Sequence, residues 1–417
     1  YSIMKISNII SATLLALAIA APAALRAESN TISPYSRFGY GILATRSNSM
    51  QKGMGGVGYA MRSGRQVNVM NPAAYAAMDS LTFLFDMGVD LSLYWREDAN
   101  GKDRDWGGGL DYLTIQFPVS KIIGVSAGLL PYSSVGYAFG SDIDNGAASH
   151  QGSGGLNQFY LGAGIMPVKN LSVGFNVSYL FGNIYNNVYA LQSGSNSQSL
   201  FEQVMEVKDY HLQFGAQYTL RLSRKNSVTL GLTYSPAKSL LGKTYMLKYH
   251  NTGSATPPDT VAPGIVNLRN KFSLPDTWGA GISYDWNGQF QAEVDVTYQN
   301  WADVKYEQIE NFSSTRFANR YRIGAGVSYL PDPRGGYFRR VTYRAGGFYN
   351  RDYVMVGDNH VRDWGLSCGF GLPANSSKTL INLGFEYHQR QATPNPLLKE
   401  KYFNITLGIN FNQVWFF

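Results

Sequence analysis

The chain has 417 residues, with 35 Lys and Arg against 28 Asp and Glu, and only 15% charged residues beside 45 glycines, 29 tyrosines and 22 phenylalanines. Its formal charge of +7 is dispersed along the sequence, which argues against nucleic-acid binding, because that needs basic residues gathered on one face. The single cysteine, Cys368, excludes an internal disulfide and is read as a small packing residue in a strand.

At the start of the chain, Lys5, the apolar run 9–24 and small residues up to Ala27 have the three-part layout of a secretory signal peptide. Residues 1–27 are therefore read as that peptide, with Tyr1 to Ile3 ahead of Met4 as an upstream remnant. The apolar run is shorter than the ~20 residues a helix needs to cross a bilayer. Losing Lys5 and Arg26 lowers the charge to +5 (7 − 2 = 5). No cysteine follows the cleavage region, which argues against a lipid anchor.

Residues 28–79 show no alternation, and their glycine and polar content predicts a compact irregular unit, an N-terminal plug or hatch. It contains Gly53, Gly55, Gly56 and Gly58, then Asn71, Pro72 and Ala73. These glycines do not read as a phosphate-cradling loop, because no Lys-Ser/Thr pair follows and no βαβ context surrounds them.

From Ser80 onward the sequence alternates. Phe83, Phe85, Met87, Val89, Leu91 and Leu93 share one parity while Asp86, Asp90 and Ser92 take the other, so one sheet face is apolar and the opposite one polar. Candidate strands lie near 80–95, 109–119, 121–139, 156–167, 170–182, 206–221, 227–236, 277–287, 289–299, 318–330, 338–350, 363–372, 378–389 and 401–413, fourteen in all. In lipid, strands must close so that every backbone group is paired, and single-chain bacterial barrels have an even number of them. The fold class predicted is an all-β, transmembrane antiparallel barrel over 80–417 with the hatch in its lumen.

Connections alternate in length. The short set is 118–121, 168–170, 224–226, 285–288, 332–336 and 374–378; the long set is 96–108, 140–155, 183–205, 237–276, 300–317, 351–362 and 390–400. Short periplasmic turns and long outer loops are the expectation for such a barrel. The segment 237–276, with Pro257, Pro258 and Pro263, is long enough to hold local structure. Within the third strand, Pro131 follows Gly128 and precedes Tyr132, and proline in a ladder marks a bulge or interruption. At the carboxyl end an alternating strand containing Phe411 finishes on Trp415, Phe416 and Phe417, which resembles the signal that barrel-assembly machinery reads during biogenesis.

Catalytic patterns are weak. His150, His211, His250, His360 and His388 are scattered with no second ligand at metal-site spacing, and no nucleophile and base are singled out, so neither an enzyme, a metal nor a cofactor is expected. Asp86, Asp90, Glu293, Asp295 and Glu386 have lumen-facing parity and are read as lining a polar interior or bonding the hatch.

The glycine-rich stretch followed by Asn71-Pro72-Ala73, together with the block holding Pro275, Trp278, Asp295 and Trp301 and the closing strands, resembles the FadL/TodX family of outer-membrane transporters for hydrophobic compounds. The resemblance spans most of the exported chain. It implies a fourteen-stranded barrel blocked by a hatch, with a strand kink opening sideways into the membrane, here at Gly128, Pro131 and Tyr132. The expected function is passive uptake of hydrophobic small molecules such as long-chain fatty acids, through an elongated apolar pocket. Divergent members of the same fold family imply an alternative, a barrel without substrate that serves as scaffold or partner of a protein-secretion or barrel-assembly complex. The partners implied are membrane lipid and lipopolysaccharide, a hydrophobic ligand, assembly machinery during biogenesis and proteins at the outer loops.

Overall fold

The computed structural model describes residues 31–79, 82–98, 101–143, 146–192, 198–251, 259–261, 266–307, 315–374, 379–396 and 398–414. The expected signal peptide, residues 1–27, and Pro257, Pro258, Pro263, Trp415 and Phe417 lie outside the described residues. No helix among the described residues is long and apolar enough to cross a membrane.

Fourteen antiparallel strands form the wall: β1 Thr82–Glu97, β2 Lys102–Pro118, β3 Ile123–Ser134, β4 Gly146–Val168, β5 Leu171–Gln192, β6 Gln198–Arg221, β7 Asn226–Ser235, β8 Thr277–Trp286, β9 Phe290–Gln299, β10 Arg320–Tyr329, β11 Thr342–Val356, β12 Asn359–Pro373, β13 Leu380–Thr393 and β14 Lys399–Val414. Each pairs with its chain neighbours, and β1 pairs with β14 from Thr82↔Val414 to Glu97↔Lys399, so the sheet is closed. Closure leaves no open edge at the ends of the sheet, which is the condition for strands in lipid.

The predicted alternation decides which face meets lipid. Leu161, Leu232, Ile323 and Leu366 point outward, each half or more exposed, while Asp86, Glu293, Asp295 and Glu386 on the other parity are buried. Two aromatic belts bracket the outward band. In one, Tyr234, Trp278, Tyr298 and Tyr321 lie in direct register across β7 to β10. In the other, Trp286, Phe290, Tyr329, Tyr343 and Phe370 do the same across β8 to β12. Trp278 and Trp286 are eight residues apart on β8, about 26 Å along a strand, which after tilt suits an apolar band of about 25 Å. The second belt lies beside the short turns, the end expected to be periplasmic in such a barrel.

The wall is lopsided. Strands β4, β5 and β6 run for 23, 22 and 24 residues, about twice what a tilted span requires, so their upper halves stand above the membrane. Here four of the expected long loops need correction. Residues 96–108, 140–155, 183–205 and 351–362 are mostly extended hairpin, with Tyr137–Ile143 added to β4 and Gly242–Asn251 added to β6. Above the bilayer neither face of a strand has to be apolar, so the period-two signal fades although the ladder continues. The segment 237–276 does hold structure of its own, including the short pair Lys238–Ser239 with Ser273–Leu274. Cys368 also departs from expectation: it points outward from β12 and is exposed rather than packed.

A core of buried side chains fills the outer mouth. Tyr40, Leu156, Leu180, Val207, Phe272 and Trp301 belong to one apolar cluster drawn from the wall, the outer loops and the N-terminal segment.

Candidate functional site

The site is the contact between residues 31–79 and the inner wall. This segment contains little regular structure: a one-turn helix Ser49–Lys52, 3-10 turns Pro34–Arg37 and Pro72–Ala77, and a two-residue strand Ile42–Leu43. With so few internal ladders, its backbone groups must find partners on the wall.

They find them on inward polar side chains. Asp295 on β9 accepts from the backbone N–H of Gly58 at 2.6 Å and of Tyr59 at 2.9 Å, and Glu293, two residues away on the same face, accepts from Ala60 at 2.8 Å. Arg322 on β10 donates to the carbonyls of Gly55 at 2.7 Å and Gly56 at 3.2 Å, while Ser367 accepts from the Gly55 N–H at 2.8 Å. Gln217 on β6 donates to the carbonyls of Tyr59 and Met61 at 3.0 and 3.2 Å. Near the outer mouth the Ser33 hydroxyl donates to Glu400 at 2.7 Å.

Of the residues singled out in sequence, Gly55 and Gly56 have φ of +73° and +69°, a left-handed backbone that favours glycine. Asn71 organises the next turn: its Oδ1 accepts from the Ala73 N–H at 3.1 Å, and its Nδ2 donates to the carbonyls of Tyr59 at 2.7 Å and Ala216 at 3.2 Å. Pro72 opens that 3-10 turn, where its missing N–H costs nothing. Gly53 sits against Gly369 of β12, and a Cβ at Gly58 would collide with Gln51.

The wall block divides between two faces. Asp295 reaches the N-terminal segment, and Trp301 is fully buried in the outer cap, 4.1 Å from the Tyr353 ring and bonded through Nε1 to Gln299 at 3.0 Å. Pro275 is buried at the base of an outer loop, whereas Trp278 faces lipid against Tyr234, 4.2 Å between ring centres. Phe411 is a wall residue paired with Phe85.

Sequence reasoning missed Arg322, Ser367 and Gln217, and missed a set of inward wall glycines. Added Cβ atoms at Gly124, Gly174, Gly231, Gly326 and Gly346 would each strike the backbone of the N-terminal segment. Their lumen-facing parity was the available signal.

At the third strand, pairing shifts between Pro131 and Ser133, so Tyr132 is bulged. The β2–β3 ladder runs only from Leu113↔Leu129 to Pro118↔Gly124. Above it β3 takes the strand Ile42–Leu43 at Ser133 and Ser134, and Ala44 donates to the Tyr132 carbonyl at 3.0 Å. Gly128 lies inside the short ladder, opposite Thr114.

Two cavities border the N-terminal segment. One, of about 90 Å³, is lined by Arg46, Tyr132, His211, Arg320 and Arg322 among others. The second, of about 180 Å³, includes Lys52, Asp90, Asp111, Glu386, His388 and Arg390 in its lining. Lys52 lies 2.7 Å from Asp111. Burial lowers its ammonium, but Asp111, Asp90 and Glu386 outweigh burial and hold it above its ordinary value, so it stays charged. Neither lining is the elongated apolar pocket expected for a hydrophobic solute. Among the described residues, no group of His, Cys, Asp and Glu is placed to hold a metal.

A family model described as BamG matches residues 6–417. The chain belongs to the BamG family. No curated protein matches its sequence. Solved structures similar to this BamG-family chain include a FadL homologue of Pseudomonas aeruginosa, 12% identical over 90% of this chain and 100% of that one with a TM-score of 0.62. The toluene transporter TodX of P. putida is 14% identical over 89% and 99% with a TM-score of 0.60, and the monoaromatic hydrocarbon channel CymD is 15% identical over 88% and 97% with a TM-score of 0.59. The BamG-family chain thus shares the fold of these channels, a closed β-barrel, as its FadL/TodX resemblance implied.

Proposed function

We propose that residues 31–79 are a fixed plug and that the barrel works as a non-conducting structural subunit of an outer-membrane protein-assembly complex, with its tall β4–β6 wall and outer loops as the contact surface. The observation that supports this reading most is the lumen itself. Beneath an apolar cap that includes Tyr40 and Trp301, the space beside the plug is charged, with Lys52, Asp111, His388 and Arg390 around it. A hydrophobic solute there would strip water from those charges without replacing it, which costs several kcal/mol per ion. The BamG family name supports an assembly role.

The test is purification of the full-length chain from native outer membranes in mild detergent. Stoichiometric recovery with barrel-assembly proteins, and a lumen free of lipid by mass spectrometry, is the expected result. Recovery of the barrel alone with a fatty acid or aromatic compound inside would overturn the proposal.

A second reading, passive uptake of hydrophobic molecules with lateral exit, is favoured by the short β2–β3 ladder and the bulge beside Pro131. In that reading Gly128, Pro131 and Tyr132 frame the exit, and lipopolysaccharide or other membrane lipid surrounds it. Its test is uptake of a radiolabelled long-chain fatty acid or toluene by cells with and without the chain.

A further inference from the structure

The periplasmic rim carries charge that neither reading uses. The turns 119–122, 169–170, 222–225, 287–289 and 330–341, with the adjoining Arg221 and Asp285, hold eight basic residues, Lys121, Lys169, Arg221, Arg224, Lys225, Arg334, Arg339 and Arg340, against two acidic ones, Asp285 and Asp332. Both carboxylates are engaged by turn backbone: Asp285 accepts from the Gly288 N–H at 3.1 Å and Asp332 from that of Arg334 at 2.9 Å. Among the described residues, none of the eight basic side chains is within ion-pair distance of a carboxylate. The turns are contiguous, since Asn287 donates to the carbonyl of Lys225 and Leu330 to that of Gln289.

The same turns expose apolar side chains next to the charges. Val119 is 61% exposed beside Lys121, Val168 59% beside Lys169, Leu222 64% beside Arg221, and Phe338 79% beside Arg339. An acidic soluble protein would pair with the charges and leave such side chains in water. The headgroup boundary of a bilayer accepts both, apolar atoms below and cations among phosphates. The rim also lies next to the periplasmic aromatic belt, whose Tyr343 donates to the Phe338 carbonyl at 3.1 Å.

We propose that this arc is a binding surface for anionic phospholipid of the periplasmic leaflet, its arginines and lysines taking the headgroup phosphates while Val119, Val168, Leu222 and Phe338 enter the acyl boundary. Lipid bound there fixes the height and tilt of the barrel and enriches its annulus in negative lipid on one side.

The full-length chain, reconstituted in nanodiscs of phosphatidylethanolamine and phosphatidylglycerol in equal parts and then extracted gently, is analysed for retained lipid. The wild-type chain is expected to retain phosphatidylglycerol above the input ratio, less so at high salt. The variant R221Q/R224Q/K225Q/R339Q/R340Q, four of its positions exposed and Arg340 half-buried, is expected to lose at least about fivefold of that enrichment. A second variant, R221K/R224K/R339K/R340K, keeps the charge and should keep the enrichment. Retention at the input ratio by the wild-type chain overturns the proposal. So does equal retention by the glutamine variant, or capture of an acidic periplasmic protein through these residues with no lipid enrichment.

Discussion

Asp295 is a single carboxylate that holds two consecutive backbone N–H groups, those of Gly58 and Tyr59, in a place water reaches poorly. Replacing it with alanine leaves both donors without that acceptor, a loss of about 1–3 kcal/mol each. We expect Asp295→Ala to speed amide exchange at residues 58–60 by at least about tenfold while the strand amides of β9 stay protected, read by hydrogen–deuterium exchange. The ion pair of Lys52 and Asp111 makes a different kind of demand. Lys52→Met strands a mostly buried carboxylate and should cost about 3–5 kcal/mol, whereas adding Asp111→Leu should recover most of that loss, because two apolar groups need no counter-charge. A denaturant titration of the two single variants and the double variant measures the difference; a double variant no better than Lys52→Met would show that the pair is worth more than its desolvation.

At the level of elements, the inner wall works by absence. Glycines on lumen-facing parity let an irregular segment approach strand backbone closely, and polar residues between them take up its unpaired groups. A Cβ at Gly346 would collide with the backbone of Met54 and Gly55, so Gly346→Val should displace that loop while β11 remains in the barrel. The expected readout is protease cleavage near Met54 with an intact wall on a gel. Much of this level was legible in sequence. Each of the fourteen expected strands overlaps one strand of the wall, because lipid on one side and polar contacts on the other force opposite parities. The hairpin extensions above the membrane were not legible, since water permits polar residues on both faces there. Asn71 and the glycines of the N-terminal segment stood out by composition, but Arg322, Ser367 and Gln217 did not, because a polar residue on inward parity looks the same whether it meets water or a carbonyl.

For the whole molecule, the proposed plug makes sealing rest on two separate features, the closed wall and the segment within it. The wall depends on the seam between the chain's first and last strands, where Leu407 faces Val89 on one side and Leu383 on the other. Leu407→Pro removes a ladder hydrogen bond in the middle of β14 and should abolish the compact form seen on unheated gels, while Leu407→Ala should retain it. The interior segment can be removed without breaking any ladder pair of that seam. Deleting residues 31–78 takes away the partners of Asp295, Arg322, Gln217 and Glu400 and exposes a row of glycines, so the space the segment filled is left open. A barrel of this strand number approaches the size at which porins hold an aqueous channel. The deleted chain should therefore fold, since each wall strand keeps both neighbours, and should conduct: steady ion current across planar bilayers and entry of a small polar antibiotic, neither of which is expected of the intact chain. An unchanged current would mean that the outer cap around Trp301 and Phe272 seals the lumen unaided, and would take the plugging role away from residues 31–79.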